Sequence, residues 1–494
     1  MASETGPEDQ RGRGVLSNTL FGLLTQVTTA VFTTVLTLYL VRALGPDDFG
    51  LFSLALSIAI VTLMVADFGV AYSAGRYVAE RIDDLPYVRR VTDAALGLKL
   101  AGAAAVTAIG VLVAPLIADA YGEDGLTWPL RGAILSVGFE SLMMLYQSAF
   151  GALRRTALSA PMVFLESLTE AAASIALVLL GAGVTGATFG RAAGYAVGTA
   201  VGVVLLARVV GRPRLHRRDR DRDLGREIAR YARPLLLVNG AYTLYAYVDA
   251  LLIGALLRAR DVGEFTAPLR LIALVSYLGQ AVANAVSPRL AGETPDVASF
   301  MRSLRFLLLA QGLLVVPLLA WSHPLVDLLL GDDYRVAGDV LLALTPYTFL
   351  MGVSPLITQT VTFIGGASRR VPIVLGALAI NVVIDLALLP TIGVVGAAVG
   401  TGVALAVYVP AHLRICTREL ALDLGPAAWT LARTVVAAEA ATAALLAIGR
   451  HDLAAWQYAA GAVAAPVAYV AALLITGELT RGERARVAAF LRRR

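Results

Sequence analysis

The chain has 494 residues, 58% of them hydrophobic and 16% charged, and its mean hydropathy is +0.73. Soluble domains carry about 25% charged residues, so this composition excludes a soluble globular enzyme and implies a polytopic helical membrane protein. For such a protein the net charge of +5 bears on which side the arginines occupy, and nucleic acid is not an expected partner.

Met1 to Gly14 is polar and runs directly into the first long apolar stretch. No small-residue cleavage site follows a short apolar core, so the first helix is expected to stay as an anchor. Apolar runs of about 20 residues, each long enough to cross a hydrocarbon core of about 30 Å, then recur to Thr476. They predict helices over residues 15–40, 49–74, 93–118, 128–151, 158–180, 185–208, 232–257, 264–288, 303–329, 338–363, 371–389, 393–415, 427–448 and 453–476. Short turns with breakers separate them, among them LGPDD, YGEDG, GDDY and GGASRR. A single cysteine, Cys416, precludes an intrachain disulfide. The four histidines are scattered, and no metal or other cofactor is expected.

Basic residues concentrate in alternate loops: the N-terminal tail, 76–90, 154–155, 208–233, 289–305, 369–370, 414–418 and the C-terminal tail. By the positive-inside rule this alternation predicts a multi-pass plasma-membrane protein with both termini in the cytoplasm. The densest block, GRPRLHRRDRDRDLGR (Gly211 to Arg226), reads as a linker whose charges fix topology, its aspartates offsetting its arginines, the alternative being a patch that binds lipid headgroups or a partner.

The linker separates two segments with the same plan. At an offset of 213 residues, Arg76 falls on Arg289 and FGLFS (Phe49 to Ser53) on VGEFT (Val262 to Thr266). At 215, Arg154–Arg155 falls on Arg369–Arg370 and ESLTE (Glu166 to Glu170) on NVVID (Asn381 to Asp385). The phrase GVTGATFG (Gly183 to Gly190) returns at 210 as GVVGAAVG (Gly393 to Gly400). No strand precedes it, so its glycines serve close helix packing rather than phosphate binding. The expected fold class is an all-α polytopic membrane protein of about fourteen transmembrane helices: two pseudo-symmetric six-helix bundles plus two C-terminal helices. The boundaries are a cytoplasmic tail 1–14, a bundle 15–209, a basic linker 210–231, a bundle 232–416, two further helices within 427–476, and a basic tail 477–494. Parallel repeats of this kind form a transporter plan.

Several stretches carry a family resemblance: RALGPDDFGLF (Arg42 to Phe52), ADFG (Ala66 to Gly69) with Arg76, Asp249 with LLIG, VGEFTAPLRL (Val262 to Leu271), NAVSPRL (Asn284 to Leu290) and NVVIDLALLPTIGVVGAA (Asn381 to Ala398). In this order they resemble the polysaccharide-biosynthesis flippases of the multidrug, oligosaccharidyl-lipid and polysaccharide exporter superfamily. The resemblance implies translocation of a polyprenyl-(pyro)phosphate-linked glycan from the cytoplasmic to the outer leaflet. It also implies membrane lipids and glycosyltransferases or a polymerase of the same pathway as partners. TAPLRL departs from the serine-alanine-alanine type of run usual in relatives, so Pro268 is expected to bend its helix and move Arg270.

A charge at mid-membrane costs about 2.5–3.5 kcal/mol on insertion scales, so such residues are expected to face protein or water. Arg270, at a depth similar to that of Asp249, is the first candidate for a phosphate headgroup, because a guanidinium stays charged and offers a planar set of donors. Arg76, Arg289, Arg42 and Arg191 complete the headgroup set, although arginines at helix ends also snorkel without further purpose. Glu166 and Glu170, one turn apart, share a helix face. They are candidates for ion coupling, together with Asn381, Asp385 and Asp67; membrane potential, H+ or Na+ would drive the cycle. Against that stand a structural pairing of one glutamate with Arg191, and a turn-capping role for Asp67.

The alternative function is a multidrug or small-cation antiporter on the same fold, which would want an acidic, aromatic-lined cleft. A membrane-embedded glycosyltransferase or polymerase would want a larger outer loop than the short ones here. A transport-dead scaffold would leave the intramembrane charges without a purpose.

Overall fold

The computed structural model describes residues 7–212, 221–291, 294–479 and 482. Parts of the N-terminal tail (1–6), of the basic linker (213–220) and of the C-terminal tail (480–481 and 483–494) lie outside the described residues. The chain divides into two compact units, Met1–Gly263 and Glu264–Arg494.

The first unit opens with α1 (Pro7–Asp67), α2 (Val70–Glu80), α3 (Leu85–Tyr121) and α4 (Thr127–Ala152), and continues with α5 (Ser159–Leu177), α6 (Gly183–Val210) and α7 (Arg222–Leu256). α1 is two helices joined at Gly45, whose φ of 70° and ψ of 175° lie where only glycine is comfortable; Pro46 then starts the next helix. Its apolar stretch was expected to run to residue 74. Instead the helix stops at Asp67 and breaks over Phe68 and Gly69, both at positive φ, before α2 resumes. Asp84 caps α3, accepting from the Tyr87 N–H at 3.0 Å, and Asp221 caps α7 through the Leu224 N–H at 3.1 Å.

The second unit holds most of α8 (Ala259–Val286), then α9 (Val297–Leu314), α10 (Val316–Leu329), α11 (Ala337–Ala343) and α12 (Thr345–Phe363). α13 (Arg370–Ile392), α14 (Val394–Leu420), α15 (Gly425–Ile448) and α16 (Ala455–Ile475) complete it. The bend in α8, 41°, lies between Ala273 and Val275, beyond Pro268. Glu264, near the start of α8, accepts from the backbone N–H groups of Arg335, Val336 and Ala337 at 2.8–3.1 Å, fixing the GDDYR turn ahead of α11.

Among the described residues nine helices are long and apolar enough to cross a membrane, or up to eleven if each of two bent pairs is one span. That count differs from fourteen for two reasons. The stretches 28–67 and 156–210 are 40 and 55 residues long, each interrupted at glycines with positive φ, Gly45 and Gly181 with Gly183. The apolar part of α7, Gly240–Leu256, is shorter than a span.

Glycine decides the tightest contacts. Gly186, Gly190, Gly194, Gly198 and Gly202 recur every fourth residue along α6 and so form one ridge. A Cβ on Gly190 would lie 2.4 Å from the Ser174 nitrogen of α5, and one on Gly194 2.8 Å from the Glu166 carbonyl oxygen. The Ser174 hydroxyl donates to the Ala187 carbonyl at 3.0 Å across the same seam. At the offset of 213 residues, Pro46 corresponds to Ala259, Asp47 to Arg260 and Gly50 to Gly263. A Cβ on Gly50 would lie 1.7 Å from the Ala259 carbonyl oxygen, and one on Gly263 2.1 Å from that of Pro46; Arg260 pairs with Asp47 at 2.8 Å. Such reciprocity, i to j and j to i, is what a local two-fold axis produces.

In the second unit α15 and α16 pack on α9 and α10 around Trp321, Ala437, Ala441 and Tyr469. The Tyr469 hydroxyl donates to the Leu309 carbonyl at 2.7 Å and the Trp321 indole N–H to that of Gly449 at 2.9 Å. Glu478, just past α16, accepts from Arg305 and Thr430 at 2.8 Å and from Arg433 at 3.0 Å. Burial alone would raise its carboxyl, but those three donors outweigh burial and hold it below the usual carboxylate range.

Two outcomes are expected from this packing. Gly190→Val should cost about 1–3 kcal/mol or more through overpacking and lower the thermal midpoint in detergent, whereas Gly376→Ala, with open space around the site, should leave it near wild type. Because the Glu478 carboxyl titrates lower in the folded than in the unfolded chain, its stabilisation is present above the ordinary carboxylate range and is lost as pH falls through the folded value. Thermal midpoints measured from pH 7 down to pH 4 should therefore fall less steeply in Glu478→Gln than in wild type.

Candidate functional site

The glycine ridge of α6 brings α5 against it, and this places the helix-five acids. Arg191 follows Gly190 on α6 and points between α5 and α4, where its guanidinium donates to Glu170 at 3.0 Å and to Glu140 at 3.2 Å. Tyr195, one turn beyond Arg191, accepts from the guanidinium and donates to Glu140, both at 3.1 Å. Glu166 is buried and accepts from the Ser167 hydroxyl at 2.8 Å. The side chains of Arg191, Glu140 and Glu170 are 15–19% exposed. Three carboxylates thus gather around one guanidinium on three helices, in surroundings where unpaired charge is expensive. Beside them lies a cavity of about 200 Å³, whose lining includes Thr29, Glu140, Gln147, Glu166 and Tyr195 with Met143 and Met144.

A second ionic group sits where α1 breaks. Lys99, the lone lysine of the sequence, is fully buried on α3. Its ammonium donates to Asp67, to the Ser141 carbonyl at 2.8 Å and to the Ser141 hydroxyl at 2.9 Å. All three of its protons therefore have acceptors. The other Asp67 oxygen accepts from the Gly69 N–H at 3.0 Å, the turn-capping role considered for it. Asp67 also borders a cavity of about 280 Å³ with Met64, Tyr72, Tyr242 and Thr243. Met144 lines both cavities.

The remaining candidates lie on other elements. Arg42 is exposed, three residues before the Gly45 break. Arg76 is exposed on α2, stacked 4.2 Å from the Tyr231 ring centroid and paired with Glu80 at 3.2 Å. Arg289 is exposed in the turn after α8. Asp249 is buried on α7 in the first unit; Arg270 is half-buried on α8 in the second. The Asn381 amide donates to Asp385 at 2.9 Å, both residues buried on α13. Gly400 of the repeated phrase lets α14 approach them, since a Cβ there would lie 2.2 Å from an Asp385 oxygen. The structure therefore joins Glu170 to Arg191, Asn381 to Asp385 and Asp67 to Lys99. Tyr195 and Ser141 were not foreseen. The spacing of Tyr195, four residues after Arg191, was a usable signal; Ser141 is near Lys99 only through folding.

Comparison with known proteins gives three findings. The family described as polysaccharide biosynthesis protein matches residues 15–292, more than half of the chain. The probable low-salt glycan biosynthesis flippase Agl15 of Haloferax volcanii is 21% identical over 385 residues, 76% of this chain and 77% of that protein. Among solved structures, the lipid II flippase MurJ in an inward closed conformation superposes with a TM-score of 0.72 at 12% identity, covering 92% of this chain and 98% of that one. An inward-facing multidrug resistance MATE family transporter of the MOP superfamily gives 0.63 at 16% identity, covering 81% and 98%. These two structures share the fold of this chain.

Removing Lys99 alone would strand a buried carboxylate, which costs about 3–5 kcal/mol. Lys99→Met is therefore expected to express as little folded protein in size-exclusion profiles, and the double variant Lys99→Met/Asp67→Asn to recover most of it.

Proposed function

The chain belongs to the polysaccharide biosynthesis protein family, and on that premise we propose that it is a flippase for a polyprenyl-(pyro)phosphate-linked oligosaccharide. In this reading it carries the glycan from the cytoplasmic to the outer leaflet by alternating access, for assembly of a cell-surface polysaccharide or glycoconjugate. Both termini face the cytoplasm, as the loop arginines require. Glycosyltransferases that build the cargo act before it, and a polymerase or ligase that consumes the cargo acts after it.

The observation that carries this reading is the Glu140–Arg191–Glu170–Tyr195 network beside a cavity of about 200 Å³. Four polar side chains in a membrane-spanning bundle are retained at a cost, and such residues normally mark a transport path. A glycan needs that kind of wall, because its hydroxyls lose water on leaving the aqueous phase and must find donors and acceptors. The diphosphate needs a separate cationic group. Arg270 and Asp249 are assigned to the headgroup, with Arg76, Arg289 and Arg42 receiving it at the two faces. The polyprenyl tail stays in the bilayer throughout. Glu166 and Glu170, with Asn381, Asp385 and Asp67 in support, are assigned to coupling with H+ or Na+, membrane potential supplying the remaining drive.

One observation favours a second reading. The cavity walls present Asp67, Glu140 and Glu166 with Tyr72, Tyr195, Tyr242, Met64 and Met144, and an acidic, aromatic wall suits a cationic drug. Reconstituted liposomes separate the two. The flippase reading expects translocation of a polyprenyl-diphosphate glycan, slowed about tenfold or more in Arg270→Ala, with Glu166→Gln losing the response to an imposed pH gradient. Transport of a cationic dye with no movement of any glycolipid would establish the antiporter instead.

A further inference from the structure

Resting on the flippase reading, we propose that the cavity beside the Arg191 network is a sugar subsite that accepts neutral or amino-bearing residues and turns away sugars carrying an acid group. The cargo of this protein is then a glycan without uronic or other acidic sugars at the position that enters this cavity.

The cavity lies wholly within the first unit, between α1, α4, α5 and α6. Its volume, about 200 Å³, is far above the ~10–15 Å³ that one water needs. Its wall mixes two kinds of surface. Thr29, Gln147 and Tyr195 both donate and accept hydrogen bonds, whereas an ionised Glu140 accepts only, and Glu166 accepts beside the proton it shares with Glu170. Met143, Met144 and Val163 are apolar. A sugar ring has the matching halves, hydroxyls around its edge and a C–H face for the thioethers. An ionised carboxylate offers about four lone-pair sites. Glu140 accepts from one guanidinium nitrogen and one phenol, and Glu166 accepts from one hydroxyl and shares a hydrogen bond with Glu170, so both retain capacity to accept from sugar hydroxyls.

Charge makes the subsite selective. Glu166 and Glu170 share a hydrogen bond and hence one proton, so Glu140, Glu166 and Glu170 together set two negative charges against the single guanidinium of Arg191, leaving one formal negative charge. Arg191 forms its ion pairs with Glu140 and Glu170 and also donates to Tyr195. Its planar fork is thus already committed and is not available for a bidentate bond to an incoming carboxylate. Glu166, which Arg191 does not pair, lies on the cavity wall itself. An acidic sugar would enter against like charge with poor solvent screening; an amino group would be drawn in. The neighbouring cavity does not offset this, because Asp67 is already matched by Lys99. The wide tolerance of a glycan carrier for hydroxyl patterns is compatible with such a filter, since it reads charge rather than stereochemistry.

The test uses the full-length protein in liposomes with three synthetic polyprenyl-diphosphate disaccharides that differ only in the terminal residue: glucose, glucosamine or glucuronate. The shared diphosphate and lipid cancel from the comparison. Glucose and glucosamine cargoes are expected to cross readily, and the glucuronate cargo at least about tenfold more slowly. Gln147 lines the cavity without belonging to the ion network, so Gln147→Lys should close that gap to within about threefold and Gln147→Glu should widen it. Equal rates for glucuronate and glucose in the wild type would overturn the proposal with no variant needed, and so would a gap unchanged in both Gln147 variants. Translocation of all three cargoes alike removes the filter and leaves the flippase standing. Movement of none of them, with a cationic dye transported, removes both.

Discussion

Hydrocarbon offers no solvent to a charge, and this constraint organises the whole structure. Two membrane-embedded cations, Lys99 and Arg191, are matched by folding rather than by water. Lys99 has three acceptors for three protons, and Arg191 is divided between Glu140, Glu170 and the Tyr195 hydroxyl. Desolvating such groups is expensive, and replacing an ion pair by apolar side chains often stabilises a protein. Stability therefore does not explain why a 494-residue chain with 16% charged residues keeps these groups inside its bundles. Under the proposed function, a polar cargo that sheds water along the same path accounts for it.

Close packing supplies the geometry that this matching needs. Between membrane helices, association depends on van der Waals contact and hydrogen bonds rather than on expulsion of water. Small residues that let backbones touch are the means. The α6 ridge of five glycines sets Gly194 against the backbone at Glu166 and Gly198 against the Glu166 side chain. Arg191 and Tyr195, interleaved on the neighbouring face of α6, then reach Glu170 and Glu140 at hydrogen-bond distance. In the second unit Gly400 does the same for Asp385. The repeated glycine phrase is thus not a ligand loop, yet it determines where the acids stand.

The reciprocal contact of Pro46–Gly50 with Ala259–Gly263 ties an echo in the sequence to local structure. Segments 213 residues apart meet through equivalent atoms, and the paired charges Asp47 and Arg260 occupy equivalent positions with opposite sign.

Membrane residence, the helical class and the internal echoes were legible in the sequence, because they depend on apolar length and on residue spacing, which a linear chain displays. So was the kinship of the chain, carried by an ordered set of short motifs such as RALGPDDFGLF and NAVSPRL. Glu166 and Glu170 were identifiable as sharing a face, since four residues make about one helical turn. What remained hidden was every partner distant in sequence. Pairing Lys99 with Asp67 or Ser141, Arg191 with Glu140, or Glu478 with Arg305 requires knowing which helix packs on which and at what rotation. Those choices are set by glycine contacts and side-chain volumes summed over whole helices, and only the folded bundle evaluates that sum.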